Sequence, residues 1–299
     1  MLEPEHLSDL RKIFGTLVLF GDPAQLPPVG GGGEMAFDSL PEEDRVVLSR
    51  VHRQGHDSPI LELSDILTDP KSTFDVFEQA LHDAAARDPR IEIARQVDTD
   101  AITRVPILVW RNATRIRIIQ GFRRAFELPD EGLVPGEPLI CDGLELPARH
   151  RRRRIDLEAR GVIKGAQAIY RGGGKKRGFS RVHLVGATEP DISVASIIKI
   201  ERVGEAEPFL PMPARMGAAF VHGAAVTIHK AQGSQWPCVQ VFGPDILAAA
   251  QSGRTEAGVP LWKRLAYVAI TRAENEIVWV TRYALARPKH TLSTRDLRS

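Results

Sequence analysis

Ala224-Ala-Val-Thr-Ile-His-Lys-Ala-Gln-Gly-Ser-Gln-Trp-Pro-Cys-Val-Gln-Val-Phe242 is the stretch from which the rest of the chain is best read. Two apolar runs, Ala224–Ile228 and Val239–Phe242, bracket a segment carrying a hydroxyl, an imidazole, an amine, an amide, a glycine and an indole. Short apolar runs suit buried strands. A donor-rich segment between two of them is where α/β proteins place phosphate and nucleic-acid contacts. By itself the segment is equally a surface turn, and its meaning depends on what other segments contribute.

Downstream, an apolar helix is expected over about 260–272, ending at Arg272, with a strand over 276–281. Upstream, Thr16–Phe20 is an unbroken apolar run ending at Gly21-Asp22, the pattern of a buried parallel strand. Val46–Leu48 and Pro106–Val109 read as further strands, residues 3–14 as a short helix, 57–86 as helical and mostly solvated, and Asn112–Phe126 as a basic amphipathic helix. The intervals between the strands leave room for crossover helices, so the sheet is expected to be parallel. From about residue 135 the character changes. Prolines 129, 135, 138 and 147 interrupt the helical pattern. Strand-like pieces follow near 161–170, 179–187 and 194–203. Residues 136–216 therefore read as a small β insertion, with Gly172–Gly178 as a hairpin tip and Arg149–Arg154 as a basic run between strands.

The totals are those of an ordinary soluble protein: 299 residues, 43% hydrophobic, 26% charged and a net charge of +2. That charge is too small to argue for a polyanionic partner; only its local distribution speaks to one. Two cysteines, Cys141 and Cys238, stand far apart and in no metal-ligand spacing, which points to reduced thiols. No apolar run approaches the roughly 20 residues of a membrane span. The N-terminus lacks the pattern of a signal peptide. A cytoplasmic protein without a membrane partner is expected.

Three constellations carry chemistry. Gly21-Asp-Pro-Ala-Gln-Leu-Pro-Pro-Val29 is a loop whose prolines restrict the backbone, leaving Asp22 and Gln25 to reach out; a proline-rich turn has the same composition. Arg53, in Val-His-Arg-Gln, and Arg272, in Tyr267-Val-Ala-Ile-Thr-Arg-Ala273, offer permanently charged planar guanidiniums of the kind that neutralise a γ-phosphate. Taken singly, each arginine reads first as a solvated surface residue or a salt-bridge partner. His229 has no second His or Cys at a ligand spacing, and no metal site is read from this chain.

In order, these segments resemble the later motifs of superfamily 1 DNA helicases of the RecD and Dda type. The resemblance rests on Gly21–Val29, Thr227–Trp236 and Tyr267–Ala273, with Asn112-Ala-Thr-Arg115 similar to the opening of that family's second motor domain. It covers most of 13–126 and 217–282. It implies an α/β fold: a RecA-like parallel-sheet motor domain (54–135 and 217–299), preceded by the tail end of a first RecA-like domain (1–53), with the β insertion (136–216) in the place of a small SH3-like domain. Carried over by motif, Gln25 senses the γ-phosphate, and Arg53 and Arg272 are arginine fingers. Asp22, Gln232 and Gly233 lie near ATP, and Thr227, His229, Lys230 and Asn112 contact single-stranded DNA. The basic run, Arg151 and Arg152 included, meets phosphates by charge alone, or is a solvated loop. Tyr267 and Trp236 are equally well read as packing residues.

One departure matters. The family's ATP and Mg²⁺ chemistry needs Gly-x-x-x-x-Gly-Lys-Ser/Thr and an Asp-Glu closing an apolar strand. Gly174-Lys175 is followed by Lys176, and Leu17–Asp22 is followed by Pro23. The chain thus reads as the C-terminal part of a longer helicase, with the Walker half expected upstream or on a separate chain. Two functions follow. One is ATP-dependent, 5′-to-3′ translocation on single-stranded DNA in repair or recombination. The other is a catalytically silent nucleic-acid-binding remnant or assembly subunit. This chain alone is expected to be inactive as an ATPase.

Overall fold

The computed structural model describes residues 4–27, 40–47, 57–130, 132–144, 150–175, 177–188, 190–197 and 217–292. Helix α1 (Pro4–Ile13) leads in. Helices α2 (Pro59–Thr68) and α3 (Phe74–Arg87) follow, then strands β1 (Ile91–Ala94) and β2 (Ile107–Val109) and helix α4 (Asn112–Ala125). Strand β3 (Pro138–Leu144), helix α5 (Arg151–Ala159) and strands β4 (Gln167–Gly173), β5 (Ser180–Leu184), β6 (Ile192–Ile197) and β7 (Ala218–His222) come next. The chain continues through β8 (Ala225–Thr227), α6 (Ile228–Ala231), β9 (Trp236–Phe242) and α7 (Gly243–Gln251). It ends with the hairpin β10 (Thr255–Glu256) and β11 (Val259–Pro260), helix α8 (Leu261–Ile270) and strand β12 (Ala273–Val280).

The main sheet runs in the order β1-β12-β9-β2-β8, and every pairing in it is parallel. Its strands alternate between two covered faces. Leu108, Val239, Val241, Ile277 and Trp279 point into the core shared with α2, α3, α7 and α8. Ile107, Val109, Phe242 and Val280 pack against Ile118, Ile119 and Phe122 of α4. Burial on both faces is why these strands read as continuous apolar runs.

Between α4 and β8 the chain makes a closed barrel, β3-β4-β5-β6-β7, with its own core around Leu139, Val162, Ala168, Val182 and Phe220. It enters at Pro138 and leaves at His222, and Leu139 pairs directly with His222. The two crossings are therefore neighbours, as an insertion requires. They are pinned by a buried polar cluster. Arg123 of α4 donates to Glu137 at 2.5 Å, and His222 Nε2 lies 3.1 Å from the same carboxylate.

Four sequence expectations are corrected. Thr16–Phe20 forms no strand; it is extended chain with Val18 73% and Phe20 85% exposed, and Val46 and Val47 are likewise exposed without a ladder, while Leu48 lies outside the described residues. An apolar run supplies side chains for a strand but not the neighbouring backbone, and among the described residues none is offered here. Residues 57–86 are not mostly solvated. Ile60, Leu63 and Leu67 of α2, and Phe77, Leu81 and Ala84 of α3, are fully buried at helical spacing. The run after Arg149, itself outside the described residues, is not a loop: residues 151–159 are helix α5, seated on the barrel through Leu157. Finally, β1 at the sheet edge had not been read as a strand.

Candidate functional site: a cleft wall and a polar edge

The loop Asp22–Pro27 is moored to the second half of the chain. Leu26 is 1% exposed in the main core, and burying a leucine this way contributes roughly 1.5–3 kcal/mol. Around it the hydrogen bonds run to α8 and to the turn after α6. Tyr267 donates its hydroxyl to Asp22 Oδ2 at 2.9 Å. Arg264, 3% exposed, donates to the carbonyls of Pro23 at 2.7 Å, Gln25 at 2.6 Å and Glu256 at 2.9 Å. Gln232 Nε2 donates to the Leu26 carbonyl at 3.3 Å. Burial, then the charge and hydrogen bond of Asp22, push the Tyr267 phenol well above its usual range, so it keeps the proton it donates.

Gln25 does not reach out freely: its amide donates to Asp22 Oδ2 at 3.2 Å. Arg272 is 4% exposed and turned inward. It donates to Val268 O at 3.0 Å, Ser234 O at 3.2 Å and Thr271 Oγ1 at 3.1 Å, joining the end of α8 to the turn beyond Gly233. Gly233 itself has φ +83 and is exposed, a left-handed turn residue. Asp22, Gln25, Gln232 and the loop carbonyls thus share one cleft wall, with Arg272 packed behind it. Arg53 lies outside the described residues.

Could this wall hold a nucleotide? Gln232 Oε1 is buried and accepts no hydrogen bond among the described residues, so a ligand donor would fit there. Among the described residues, no glycine-rich phosphate cradle stands beside it. No group of three His, Cys, Asp or Glu side chains suited to a metal occurs among the described residues. The described residues do not by themselves fit ATP or Mg²⁺.

A second set lies at the carboxyl ends of β2 and β8, which are in register at Val109 and Thr227. Thr227 caps α6, its Oγ1 accepting from Lys230 N at 3.4 Å. Lys230 is half exposed and pairs with Asp142 of β3 at 3.2 Å. Asn112 is exposed at the start of α4, its Oδ1 accepting from Arg115 Nε at 2.7 Å. His229 is partly buried, which lowers its pKa. Arg151 and Arg152 stand exposed on α5, away from this edge in sequence and on the barrel. Trp236 is packed, as one of its two readings had it: it is 3% exposed and donates Nε1–H to Gly165 O at 3.2 Å.

Reasoning from sequence missed Arg264 and Asp245. Arg264 had no signal, because its partners are backbone carbonyls, two of them more than two hundred positions away. Asp245, 0% exposed, accepts from Trp110 N, Arg111 N, the Arg111 guanidinium and Thr114 Oγ1. The only hint was its place two residues after the glycine that ends an apolar run.

A family profile described as the UvrD-like helicase C-terminal domain matches residues 222–280. No curated protein matches the chain significantly. Among solved structures, the Pif1 helicase from Candida albicans superposes with a TM-score of 0.51 at 14% identity, over 92% of this chain and 66% of that one. A Bacteroides Pif1 helicase in complex with ADP-AlF3 and ssDNA gives 0.46 at 13% identity, over 88% and 61%. The chain therefore spans less than two thirds of the length of either, and at these identities the likeness to the Candida protein is one of fold. Neither comparison singles out the RecD and Dda type. Residues 222–280 are thus similar to the UvrD-like helicase C-terminal domain, and the chain shares its fold with the Candida albicans Pif1 helicase.

Proposed function

We propose that this chain is the DNA-gripping and coupling part of an ATP-dependent DNA helicase that moves 5′-to-3′ along single strands. The observation that carries this reading is the mooring of Asp22–Pro27 onto α8 and Gln232. It ties the wall bearing Gln25 to Gln232, at the end of α6, whose start carries the edge of Thr227 and Lys230 beside Asn112. A ligand that shifts the wall then shifts the edge. In this reading Gln25, Arg53 and Arg272 act at the nucleotide, Arg272 by turning outward from its carbonyl partners on closure. Residues 1–53 belong to a first motor domain, 54–135 with 217–299 to the second, and the barrel (136–216) is an SH3-like insertion whose Arg151 and Arg152 meet phosphates. The phosphate cradle and the magnesium carboxylates come from a Walker half that the 299 residues do not contain.

The missing cradle also favours a second reading, a silent nucleic-acid-binding subunit. One experiment serves both. Purified chain is incubated with ATP, magnesium and oligothymidylate, alone and with a polypeptide carrying a Walker half. The helicase reading expects no DNA-stimulated phosphate release from the chain alone and release in the mixture, lost in Arg272→Ala. Release from the chain alone, abolished by Arg272→Ala, would overturn the division of labour. Silence in every mixture would leave the binding subunit.

A further inference from the structure

In the main sheet, the connection out of β2 leads to its neighbour β8 on one side, through α4 and the barrel. The connection out of β9 leads to β12 on the other side, through α7 and α8. Those helices cover opposite faces. Between the carboxyl ends of β2 and β9 the winding therefore reverses, and open α/β sheets bind ligands in the crevice at such a point.

The residues there are Trp110, Arg111 and Asp245, with Arg254 arriving from the turn after α7. Asp245 is fully buried and fixes the floor. It accepts the Trp110 and Arg111 backbone N–H groups at 2.9 and 3.0 Å and both prongs of the Arg111 side chain at 2.9 and 2.6 Å. The guanidinium carbons of Arg111 and Arg254 each lie 5.9 Å from the centroid of the Trp110 ring. Both guanidiniums are thus within cation–π reach of the one ring. Arg111 is committed to Asp245. The Arg254 side chain is exposed, and no hydrogen bond from it occurs among the described residues. A partly buried indole with an exposed guanidinium beside it suits a planar base linked to a phosphate: the base stacks on the ring and Arg254 turns to the anion.

We infer that Trp110, with Arg254 as its cover, is a base-stacking platform for single-stranded nucleic acid at this crevice. It lies next along the chain from Val109, the register partner of Thr227, so it extends the polar edge of Thr227, Lys230 and Asn112 with the aromatic surface that edge lacks. The inference rests on the nucleic-acid part of the proposed function.

The chain contains its own reporter. It has four tryptophans, and Trp236, Trp262 and Trp279 are 3%, 7% and 4% exposed, whereas Trp110 is only partly buried. Intrinsic fluorescence and the anisotropy of fluorescein-labelled oligothymidylate are followed in parallel titrations. The expected result is saturable binding by anisotropy with matching tryptophan quenching. Trp110→Phe should fold with the wild-type circular dichroism spectrum, lose the quench and bind about tenfold more weakly. Arg254→Glu, which keeps the ring, should bind more weakly and lower the slope of log affinity against log salt by about one. Binding by anisotropy with no quench, or a quench that persists in Trp110→Phe, would overturn the platform and leave the nucleic-acid reading standing. No binding at low salt would overturn both.

Discussion

At the scale of single residues, the cleft wall depends on side chains that donate to backbone carbonyls. Arg264 satisfies three of them at once, and a carbonyl-bound guanidinium holds a loop whatever side chains that loop carries. Asp22 is the hub on the other side. One oxygen accepts the Ala24 N–H at 2.9 Å, and the other accepts from Gln25 and Tyr267. Tyr267→Phe removes one donor and leaves the ring in place. A net loss of about 1 kcal/mol is expected from that bond. The measurable sign is local: hydrogen exchange in residues 22–27 should rise, while exchange in β9 and β12 stays as it was. Equal loosening throughout, or none, would show that the phenol does not tether the loop. Gln25 and Asp22 were legible as candidates from the loop's own composition. Their mutual bond was not, because only the docked loop brings the carboxylate between the amide and the phenol.

At the scale of elements, the sensitive joint is where the barrel meets the main sheet. Gly165, just before β4, has φ +87, a backbone that side chains other than glycine rarely adopt. A Cβ built there would stand 2.2 Å from Ser234 Oγ and 2.4 Å from its Cβ. Its carbonyl accepts from Trp236. The contact thus joins the barrel to the turn that Arg272 also holds. Gly165→Ala should lower stability by about 2 kcal/mol or more, read as urea midpoint at constant m-value, from the combined strain of positive φ and overlap. Adding Ser234→Gly should recover the overlap share and not the backbone share, a non-additive pair. Full additivity would mean that the two segments do not touch.

At the scale of the whole molecule, the crossings between sheet and barrel carry a proton-linked term. Burial lowers the pKa of His222 below the usual 6.5, outweighing the opposing pull of Glu137, while Arg123 and Arg115 lower it further. His222 Nδ1 accepts the Ala224 N–H at 3.2 Å, so the ring proton sits on Nε2 and is donated to Glu137. The imidazole is neutral in the fold, despite a carboxylate beside it, because Arg123 already satisfies that carboxylate. His229 is lowered by burial too. The unfolded chain then binds more protons than the native one as pH falls below 6.5, and stability must fall with it. Thermal midpoints are expected to be level above about pH 7 and to drop steadily from 6.5 toward 5. His222→Gln should lower the midpoint at pH 7 and flatten part of the acid slope. A midpoint that rises on acidification would mean a protonated His222 ion-paired to Glu137.

At the same scale, the sequence by itself determined the parallel α/β sheet and the presence of a β insertion. It also brought out Gly21–Val29, Thr227–Trp236 and Tyr267–Ala273 as chemistry-bearing segments. Periodicity and local turn chemistry act over a few residues, and those features are written over a few residues. Tertiary structure alone decided which of these side chains meet. It turned Arg272 inward onto carbonyls, folded Gln25 back on Asp22, buried the faces of α2 and α3, and left Thr16–Phe20 unladdered. It alone placed Trp110 and Asp245 at the reversal of the winding. Strand order and burial depend on partners distant in the chain, and an apolar run or an arginine carries no mark of which partner it will find.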